Sequence, residues 1–454
     1  MSQKSNFLYP ATSESVHKYA DSIFSPIRSG ECVTTIWVPM AGRRMWNKFI
    51  IENIELFENE LPNHDKYIPV YIEPLDLTEE SLSGYMRLLG RSFIEACNKR
   101  GLSSKFPNLE KNLQSFNDES LSYTKLYDVF NEVLNGIAGK GYVAIFFLGE
   151  FDELHFATPI FFNNLKSLWS RFYPHLFFVF LTVQNLARPE DSGNYQELRA
   201  AILQNVIFVP IRQGEDIDYV IDFFASKNGN KLESSSRKLI KDLCGGHPYL
   251  IKAVYKIISA SKNGSNKDVI ANIHSSYEVQ TIVRRIFMLR RPDEKAIIQR
   301  IANNKKVEPS DQLDELINLG LVIKDGDNYK LFGKLFEDIA ISTRAKTEQP
   351  AIDAFGDKLH LNDSTGVINL MGRSIEEELT NQEYRVMKFL LTDQNRLRSR
   401  EDIGKVMWGE ESYEKYSDWA IDQVMSKIRK KLKTLGTSTK LVTIRGRGYK
   451  LSNN

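Results

Sequence analysis

The chain has 454 residues, too many for one ordinary core, and its length indicates about three domains of roughly 150 residues each. Its 42% apolar and 26% charged residues exclude the disordered, collagen-like and membrane classes, and a net charge of +2 does not by itself indicate a nucleic-acid partner. No apolar run approaches the roughly 18 residues that span a bilayer, and no secretory signal opens the chain, so we expect a cytoplasmic protein without membrane contact. Three scattered cysteines, Cys32, Cys97 and Cys244, predict neither a disulfide framework nor a metal site.

Five short apolar runs recur along the first part of the chain, with helical spacers between them. Unbroken apolar runs bounded by polar loops are typical of strands buried on both faces, and hence of a parallel sheet. We therefore predict one α/β domain over residues 1–215. The runs are VTTIWVPM (33–40), YIPVYI (67–72), YVAIFFL (142–148), HLFFVFLTV (175–183) and NVIFVPI (205–211).

The rest of the chain changes to helical periodicity. Residues 216–285, centred on SSSRKLIKDLCGGHPYLIKAVYKII, predict a small helical subdomain. Residues 286–345 have the order helix, helix and hairpin, with Asp325-Gly326 at the turn, which is a winged-helix pattern. A second pattern of this kind, preceded by weak strand signals, occupies residues 350–454.

The segment GRRMWNKF, residues 42–49, directly follows the first apolar run and has the length of a phosphate-binding loop, G-x-x-x-x-G-K-S/T. In such a loop the glycines admit the phosphates, the lysine reaches the outer ones, and the hydroxyl binds magnesium. Gly42 and Lys48 match this pattern, whereas Asn47 replaces the second glycine and Phe49 replaces the hydroxyl. Phe cannot coordinate magnesium.

Two later segments resemble motifs of STAND and AAA-like ATPases. The run IFFLGEFDEL resembles their apolar strand followed by D-E-x-D-x-L, with Gly149 at the aspartate and Glu150 retained. The segment LCGGHPYLIKAVYKII resembles the G-G-H/N-P-y-L motif of the helical lid, which implies that Gly246, His247 and Pro248 approach the nucleotide. The resemblance covers residues 1–345 and implies a P-loop NTPase-like parallel sheet, a helical lid and a winged helix.

Both magnesium ligands of the resembled site are replaced together. We therefore predict a catalytically disabled module, because magnesium neutralises and bridges the phosphates during hydrolysis. Arg43, Arg44 and Lys48 could still hold an anion at a helix N-terminus, so ATP binding without hydrolysis stays open and no cofactor is expected. Asp152 and Glu153 fit a solvated strand-end cluster better than a catalytic one.

The C-terminal end of the chain is strongly basic: Ser426 to Lys450 contain nine Lys or Arg and no Asp or Glu, the charge pattern expected of a phosphate-backbone contact. The helical spacing of SDWAIDQVMSKIRKKL divides the segment into two faces. Ala420, Ile421, Val424, Met425, Ile428 and Leu432 form the packing stripe. Trp419, Gln423, Ser426, Lys427 and Lys430 lie outward. In LVTIRGRGYKL, a strand pair would place Arg445 and Arg447 at the tip of a wing.

Four consecutive C-terminal motifs resemble the effector domain of OmpR-type response regulators: LTNQEYRVMKFLL, SREDIGKVMWG, AIDQVMSKIRKKL and TIRGRGYKL. Trp419 replaces a usual arginine before the helix core, and Ser426 replaces an often basic residue. Val424 also lies on the packing stripe. The resemblance implies that DNA is contacted by Gln423, Val424, Ser426, Lys427, Arg429, Lys430, Thr443, Arg445 and Arg447. We add the outward Trp419 to these candidate DNA contacts.

The sequence thus favours a cytoplasmic prokaryotic protein, nucleoid-associated when bound, that recognises double-stranded DNA in a sequence-specific way. We expect a transcriptional regulator whose disabled STAND-type module serves as a sensor or assembly platform for a protein partner, with homodimerisation possible. Two alternatives stay open. One is a DNA-binding subunit of a prokaryotic defence or mobile-element complex, and the other is an ATP-switched STAND NTPase that uses Lys48 and Glu150. The basic cluster Arg284, Arg285, Arg290 and Arg291 fits either a DNA contact or a solvated linker.

Overall fold

The structure is a computed structural model of the chain, which divides into two compact units, residues 1–344 and 345–454. Within the described ranges, no helix combines the length and the apolarity that crossing a bilayer requires. The described residues are 11–77, 79–154, 156–188, 195–228, 232–261, 266–326, 328–347, 358–361, 368–370, 373–375, 378–393, 396–408, 418–444 and 446–453.

A five-stranded parallel sheet with the strand order β2-β3-β4-β1-β5 forms the centre of the first unit. Each of the five predicted apolar runs contains one strand. Every residue of β1 and β4 is buried, and because successive side chains point to opposite faces, both faces of the sheet are covered. The strands are β1 (Val33–Trp37), β2 (Tyr67–Ile72), β3 (Val143–Leu148), β4 (Leu176–Thr182) and β5 (Val206–Val209).

Helices connect the strands and cover the sheet. The crossover from β2 to β3 is long and contains three helices, of which α3 packs on β2 and α5 on β3. The helices are α1 (Ser13–Arg28), α2 (Arg43–Glu52), α3 (Leu82–Lys99), α4 (Leu109–Asn117), α5 (Tyr123–Ala138), α6 (Pro159–Phe172) and α7 (Arg199–Ile202).

The segments that follow β1, β3 and β4 share one edge of the sheet, because the carboxyl ends of parallel strands meet there. β1 lies between β4 and β5, although β2 follows it in the chain. A chain that leaves β1 must therefore cross to the far side of the sheet. In open α/β sheets such a reversal of strand order opens a crevice at the carboxyl edge, which is where ligands bind.

Five helices follow the sheet, and a small helix-helix-hairpin module completes the first unit. Asp325 and Asn328 pair at the end of its hairpin, as the Asp325-Gly326 turn predicts. These elements are α8 (Glu215–Asn228), α9 (Ser234–Cys244), α10 (Pro248–Ala260), α11 (Asn266–Ser275), α12 (Tyr277–Met288), α13 (Pro292–Ala302), α14 (Asp311–Asn318), β6 (Val322–Asp325), β7 (Asn328–Leu331) and α15 (Lys334–Thr347).

The second unit is a winged helix with its own apolar core. Its helices contribute Val386, Ile403 and Ile428 to this core, and the wing contributes Leu451. The predicted parallel α/β sheet with helices and the C-terminal winged helix are confirmed. The elements are β8 (Leu359–Leu361), β9 (Ile368–Leu370), β10 (Arg373–Ser374), α16 (Asn381–Thr392), α17 (Arg400–Trp408), α18 (Asp418–Thr434), β11 (Thr439–Ile444) and β12 (Gly448–Asn453).

Candidate functional site

The loop after β1 opens helix α2 earlier than the phosphate-loop motif predicts. Gly42 is the N-cap, with a φ of 92° that favours glycine, and the helix begins at Arg43. Only the first turn of a helix offers free N–H groups. Lys48, expected at the helix N-terminus together with Arg43 and Arg44, lies instead in the second turn of α2. Arg43 and Arg44 are the residues that directly follow the last glycine.

Asn47 and Phe49 belong to the core, with 0% and 6% of their surfaces exposed. The Tyr19 hydroxyl donates to Asn47 Oδ1 at 2.9 Å, and Asn47 Nδ2 donates to the Arg43 carbonyl at 2.8 Å. Asn47 therefore joins α1 to α2 instead of admitting a phosphate. Lys48 is partly exposed, and its ammonium lies 5.8 Å from the centre of the Tyr71 ring.

Two ion pairs hold the arginines of the first turn. Arg43 Nη2 lies 3.1 Å from Glu150 Oε1, and Arg44 Nε lies 3.2 Å from Glu73 Oε2. Glu73 follows β2, and burial raises its pKa in spite of the neighbouring Arg44. Internal carboxylates thus neutralise the two cations that would face a bound phosphate.

Gly149 stands where the resembled ATPases carry an aspartate, and the structure explains why. A Cβ atom at this position would lie 2.7 Å from the carbonyl oxygen of Ile72 at the end of β2. The Gly149 N–H donates to that same oxygen at 2.9 Å. The close approach of β2 therefore excludes an aspartate unless the strand ends move apart.

Asp152 is not the solvated strand-end residue that the sequence suggests. Its Oδ2 accepts hydrogen bonds from the backbone N–H groups of Val183 and Gln184, each at 2.8 Å. Burial raises the pKa of Asp152 and that of Glu153. Asp152 holds the segment after β4 against the segment after β3, which is a structural role.

His247 connects the lid motif to the loop after β1. Its Nδ1 accepts from the Leu250 N–H at 3.3 Å, and its Nε2 lies 2.8 Å from the Pro39 carbonyl. Gly246 touches the β5–α8 segment, where its carbonyl accepts from the Arg212 N–H at 3.0 Å. The motif therefore docks α10 onto the sheet edge, and its third predicted residue, Pro248, lines the cavity described below.

Arg212 is a buried cation that the sequence motifs do not single out. Its guanidinium carbon lies 4.5 Å from the centre of a Trp46 ring, and its Nη2 lies 3.3 Å from the position of a Cβ on Gly42. Nε and Nη2 have no hydrogen-bond acceptor within the described part of the chain. Burial lowers the pKa of Arg212 to about 10. Nothing in the polar stretch IRQGED distinguishes this residue from a surface arginine.

A cavity of about 910 Å³ lies between the sheet edge, α2 and the helices that follow the sheet. Trp37, Tyr71 and Val183 line it from the sheet side, and Phe224 and Leu289 from the helices. The sequence does not predict this cavity, since its walls come from segments that lie far apart in the chain. Its charged lining residues are Arg43, Arg44, Lys48, Glu52, Glu73, Glu150, Glu153, Lys252 and Arg285.

The basic cluster beside the middle winged helix divides into two parts. Arg284 and Arg285 are exposed, and Arg285 lines the cavity. Arg290 is buried and donates to the Val183 carbonyl at 3.4 Å, while Arg291 donates to the Asn185 carbonyl at 3.3 Å. The second pair therefore binds the segment after β4 and is neither a DNA contact nor a solvated linker.

Helix α18 presents the basic face that the sequence predicts. Gln423, Ser426, Lys427, Arg429 and Lys430 are exposed. The packing stripe Ile421, Val424, Met425, Ile428 and Leu432 is buried. The resemblance implies a DNA contact at Val424, but this residue is only 6% exposed, and we exclude it from the surface that the helix offers. Trp419 lies in the helix, but its side chain is outside the described part of the structure.

The wing pairs β11 with β12 and packs on α18 through Arg429. The Arg429 guanidinium donates to the Leu441 carbonyl at 3.3 Å and to the Thr443 hydroxyl. Arg429 and Thr443, both predicted to contact DNA, are thus bonded to each other and fix the wing against the helix. Arg447 is exposed at the turn, and Arg445 lies outside the described residues.

Comparison with known proteins identifies the C-terminal region. Residues 374–451 match the model of a family described as transcriptional regulatory protein, C terminal. No curated protein matches the chain in sequence.

Solved structures that are similar to the chain come from several organisms. A Walker-type ATPase of Pyrococcus abyssi has a TM-score of 0.46 at 14% identity, over 72% of this chain and 95% of that one. The ORC2 protein of Aeropyrum pernix, in ADPNP and ADP complexes, has 0.40 at 12%, over 75% and 97%. The RuvB Holliday junction branch migration motor of Thermotoga maritima has 0.33 at 13%, over 72% and 95%. The predicted resemblance at the C-terminus is confirmed: residues 374–451 form an OmpR-type winged helix.

Proposed function

We propose that this protein is a sequence-specific DNA-binding transcriptional regulator whose N-terminal module acts as a sensor or assembly platform and does not hydrolyse ATP. The observation that carries the proposal is the exposed basic face of α18, in a unit that matches the transcriptional regulatory family. Double-stranded DNA is the partner. The same proposal includes a protein partner that binds the first unit and a homodimer that binds repeated half-sites. It also includes a cytoplasmic location, with the protein on the nucleoid when it is bound to DNA.

The geometry of α18 and the wing suits a DNA duplex. An α-helix fits the major groove, where the exposed Gln423 can pair with adenine and Lys427 with guanine. Lys430 and Arg447 are exposed, and in this proposal they contact phosphates of the DNA backbone. Because Arg429 holds Thr443, the helix and the wing would meet DNA as one preformed surface.

Two features of the described part of the first unit support a module that does not hydrolyse ATP. The first turn of α2, Arg43 to Trp46, contains no hydroxyl side chain, and the close contact of Gly149 with Ile72 leaves no room for an aspartate. Of the two acidic residues that the motif retains, Glu150 already pairs with Arg43, and Asp152 accepts hydrogen bonds from the backbone N–H groups of Val183 and Gln184. The residues present do not fit a magnesium ion at this site, and these contacts argue against the alternative of an ATP-driven switch.

Fluorescence anisotropy with labelled duplex DNA at several salt concentrations tests the DNA surface. We expect Lys427→Ala and Lys430→Ala to weaken DNA binding. A plot of the logarithm of the binding constant against the logarithm of the salt concentration should also become less steep, by about 0.9 in slope for each phosphate that is no longer neutralised. Lys388→Ala on α16 is the matched control, because it removes one exposed lysine from another helix of the same unit. An equal loss of affinity in the control would contradict the proposed surface.

A further inference from the structure

We propose that the cavity of the first unit binds a small organic anion with an apolar body, and that it does so without magnesium. This inference rests on the proposed function, because it names the chemical class of the ligand that the sensor module takes. It differs from a nucleotide site, since the arginines at the helix start already hold Glu150 and Glu73.

The size and lining of the cavity suit a small molecule. Its volume of about 910 Å³ lies within the range of roughly 300–1,000 Å³ that such pockets have. Trp37, Phe49 and Leu289 give it apolar walls. At its rim, Met45, Leu75 and Tyr249 are 45%, 75% and 43% exposed. Large apolar side chains that converge on a cavity mouth indicate a surface that a bound molecule covers.

Three cations from three different helices provide the charge. Lys48 of α2, Lys252 of α10 and Arg285 of α12 all line the cavity. In the part of the chain that the structure describes, none of them forms an ion pair with a carboxylate. Two lining carboxylates remain outside the Arg43 and Arg44 pairs, Glu52 and Glu153, so the cations are in excess. An anionic group placed among them would gain charge-assisted hydrogen bonds.

The aromatic neighbours of the lysines support a ligand with an apolar body. The ammonium of Lys252 lies 5.8 Å from the ring centre of Tyr249, as that of Lys48 does from Tyr71. Each ammonium therefore lies beside an aromatic ring, and among the described residues neither ammonium forms an ion pair. Its N–H groups can then bind an acceptor on a ligand. A ligand that bridges α2 and α10 would hold the helical segment on the sheet edge, which gives the sensor two distinguishable states.

Titration of the full chain with anilinonaphthalene sulfonate, an aromatic sulfonate, tests this inference. Decanoate and decanol are then added as competitors that share a tail and differ in charge. Lys252→Met removes one cavity cation. Lys256→Met, one turn further along α10, is the matched control, because Lys256 pairs with Glu278 and does not line the cavity.

We expect saturable binding at one site, displaced by decanoate and not by decanol. Lys252→Met should weaken it about tenfold, the effect of losing one charge-assisted hydrogen bond, while Lys256→Met and magnesium leave it unchanged. Equal binding by Lys252→Met and the wild type, or displacement by decanol alone, would overturn the inference. Binding displaced only by ATP with magnesium would also overturn it and indicate a nucleotide site.

Duplex DNA binding is measured on the same samples. Normal DNA binding without sulfonate binding rejects the ligand site and leaves the proposed regulator intact. If the protein binds the sulfonate but does not bind DNA selectively, the proposed regulatory function is rejected and the proposed ligand site is retained.

Discussion

The imidazole of His247 holds the helical segment to the loop after β1 in its neutral form. Because Nδ1 accepts from the Leu250 N–H, the proton lies on Nε2, which donates to the Pro39 carbonyl at 2.8 Å. Burial lowers the pKa of His247 from 6.5 to about 4. The folded protein therefore resists protonation of this residue over a pH range in which the unfolded chain accepts it.

This difference predicts a loss of stability in acid. Above pH 6.5 both states are neutral at His247. Between pH 6.5 and about 4 the unfolded state binds the extra proton, so the free energy of unfolding falls as the pH falls, by about 3 kcal/mol in total. Urea unfolding of the wild type and of His247→Asn measures the effect. Asn keeps a helix cap without titrating, so its variant should lose less stability in this window, and equal losses would contradict the assignment.

A second prediction concerns Gly246, whose backbone packs directly against the backbone of Arg212. A Cβ atom there would lie 1.7 Å from the Arg212 carbonyl oxygen. We expect Gly246→Ala to destabilise the first unit by about 3 kcal/mol or more, as overpacking in a core does. Gly136→Ala in α5 meets open space and should be neutral or stabilising. The midpoints of thermal unfolding of the two variants are compared. Similar midpoints would contradict the prediction, because they would mean that the backbone around Gly246 moves to accommodate the added methyl group.

A buried arginine after β4 contributes to the contact between the sheet and the middle winged helix. Arg188, which follows β4, contacts Glu294 of α13 at 2.8 Å and Glu315 of α14 at 2.6 Å, and Asp293 at 3.3 Å. Removal of one partner from such a group leaves buried charges uncompensated. We therefore expect Arg188→Met to cost about 3–5 kcal/mol in urea unfolding. Lys306→Met, which breaks the exposed pair with Glu308, is the control and should have no measurable effect.

The two winged helices differ in charge on the helix that precedes their hairpin. α14 carries Asp311, Asp314 and Glu315, whereas α18 exposes Lys427 and Lys430. Acidic groups repel DNA phosphates, so we expect only the C-terminal module to bind DNA. Lys324→Ala in the middle hairpin should leave DNA affinity unchanged, and Arg447→Ala in the C-terminal wing should lower it. A loss of affinity with Lys324→Ala in the same anisotropy assay would show that both modules take part.

The strands could be predicted because burial on both faces leaves a signature in the sequence. The run YIPVYI coincides with β2 over residues 67–72, and the other four runs each contain their strand. The order of the strands could not be predicted, since every run is equally apolar. The packing stripe of α18 could also be predicted from its helical spacing, and it sets the buried Val424 apart from the exposed face.

The position of Lys48 in the second turn of α2 could not be predicted, because a motif records spacing and not where a helix begins. Gly42 matches the first glycine of the pattern, yet in the structure it is the left-handed N-cap of α2, which begins at Arg43. The pairing of Arg43 with Glu150 and of Arg44 with Glu73 joins residues far apart in the chain, and no local signal reveals it. The cavity could not be predicted for the same reason.

The two units differ in how their charges are paired. At the sheet edge of the first unit, carboxylates pair with Arg43 and Arg44, whereas the second unit has an exposed basic surface. The net charge of +2 hides this division, because acidic and basic residues balance over the first unit while Ser426 to Lys450 contain only basic charges. Under the proposed function, the chain binds DNA selectively without a hydrolysis cycle. In that case the affinity for DNA is set by the C-terminal surface and not by ATP.

Selection of genomic DNA fragments by the purified full-length chain tests this most directly, with and without ATP and magnesium, beside a Lys427→Ala/Arg447→Ala variant. We predict tight, sequence-selective enrichment that the variant loses and that ATP and magnesium leave unchanged. Weak enrichment without a common sequence, or enrichment that ATP and magnesium switch on or off, would contradict a DNA-binding regulator with a non-hydrolysing module.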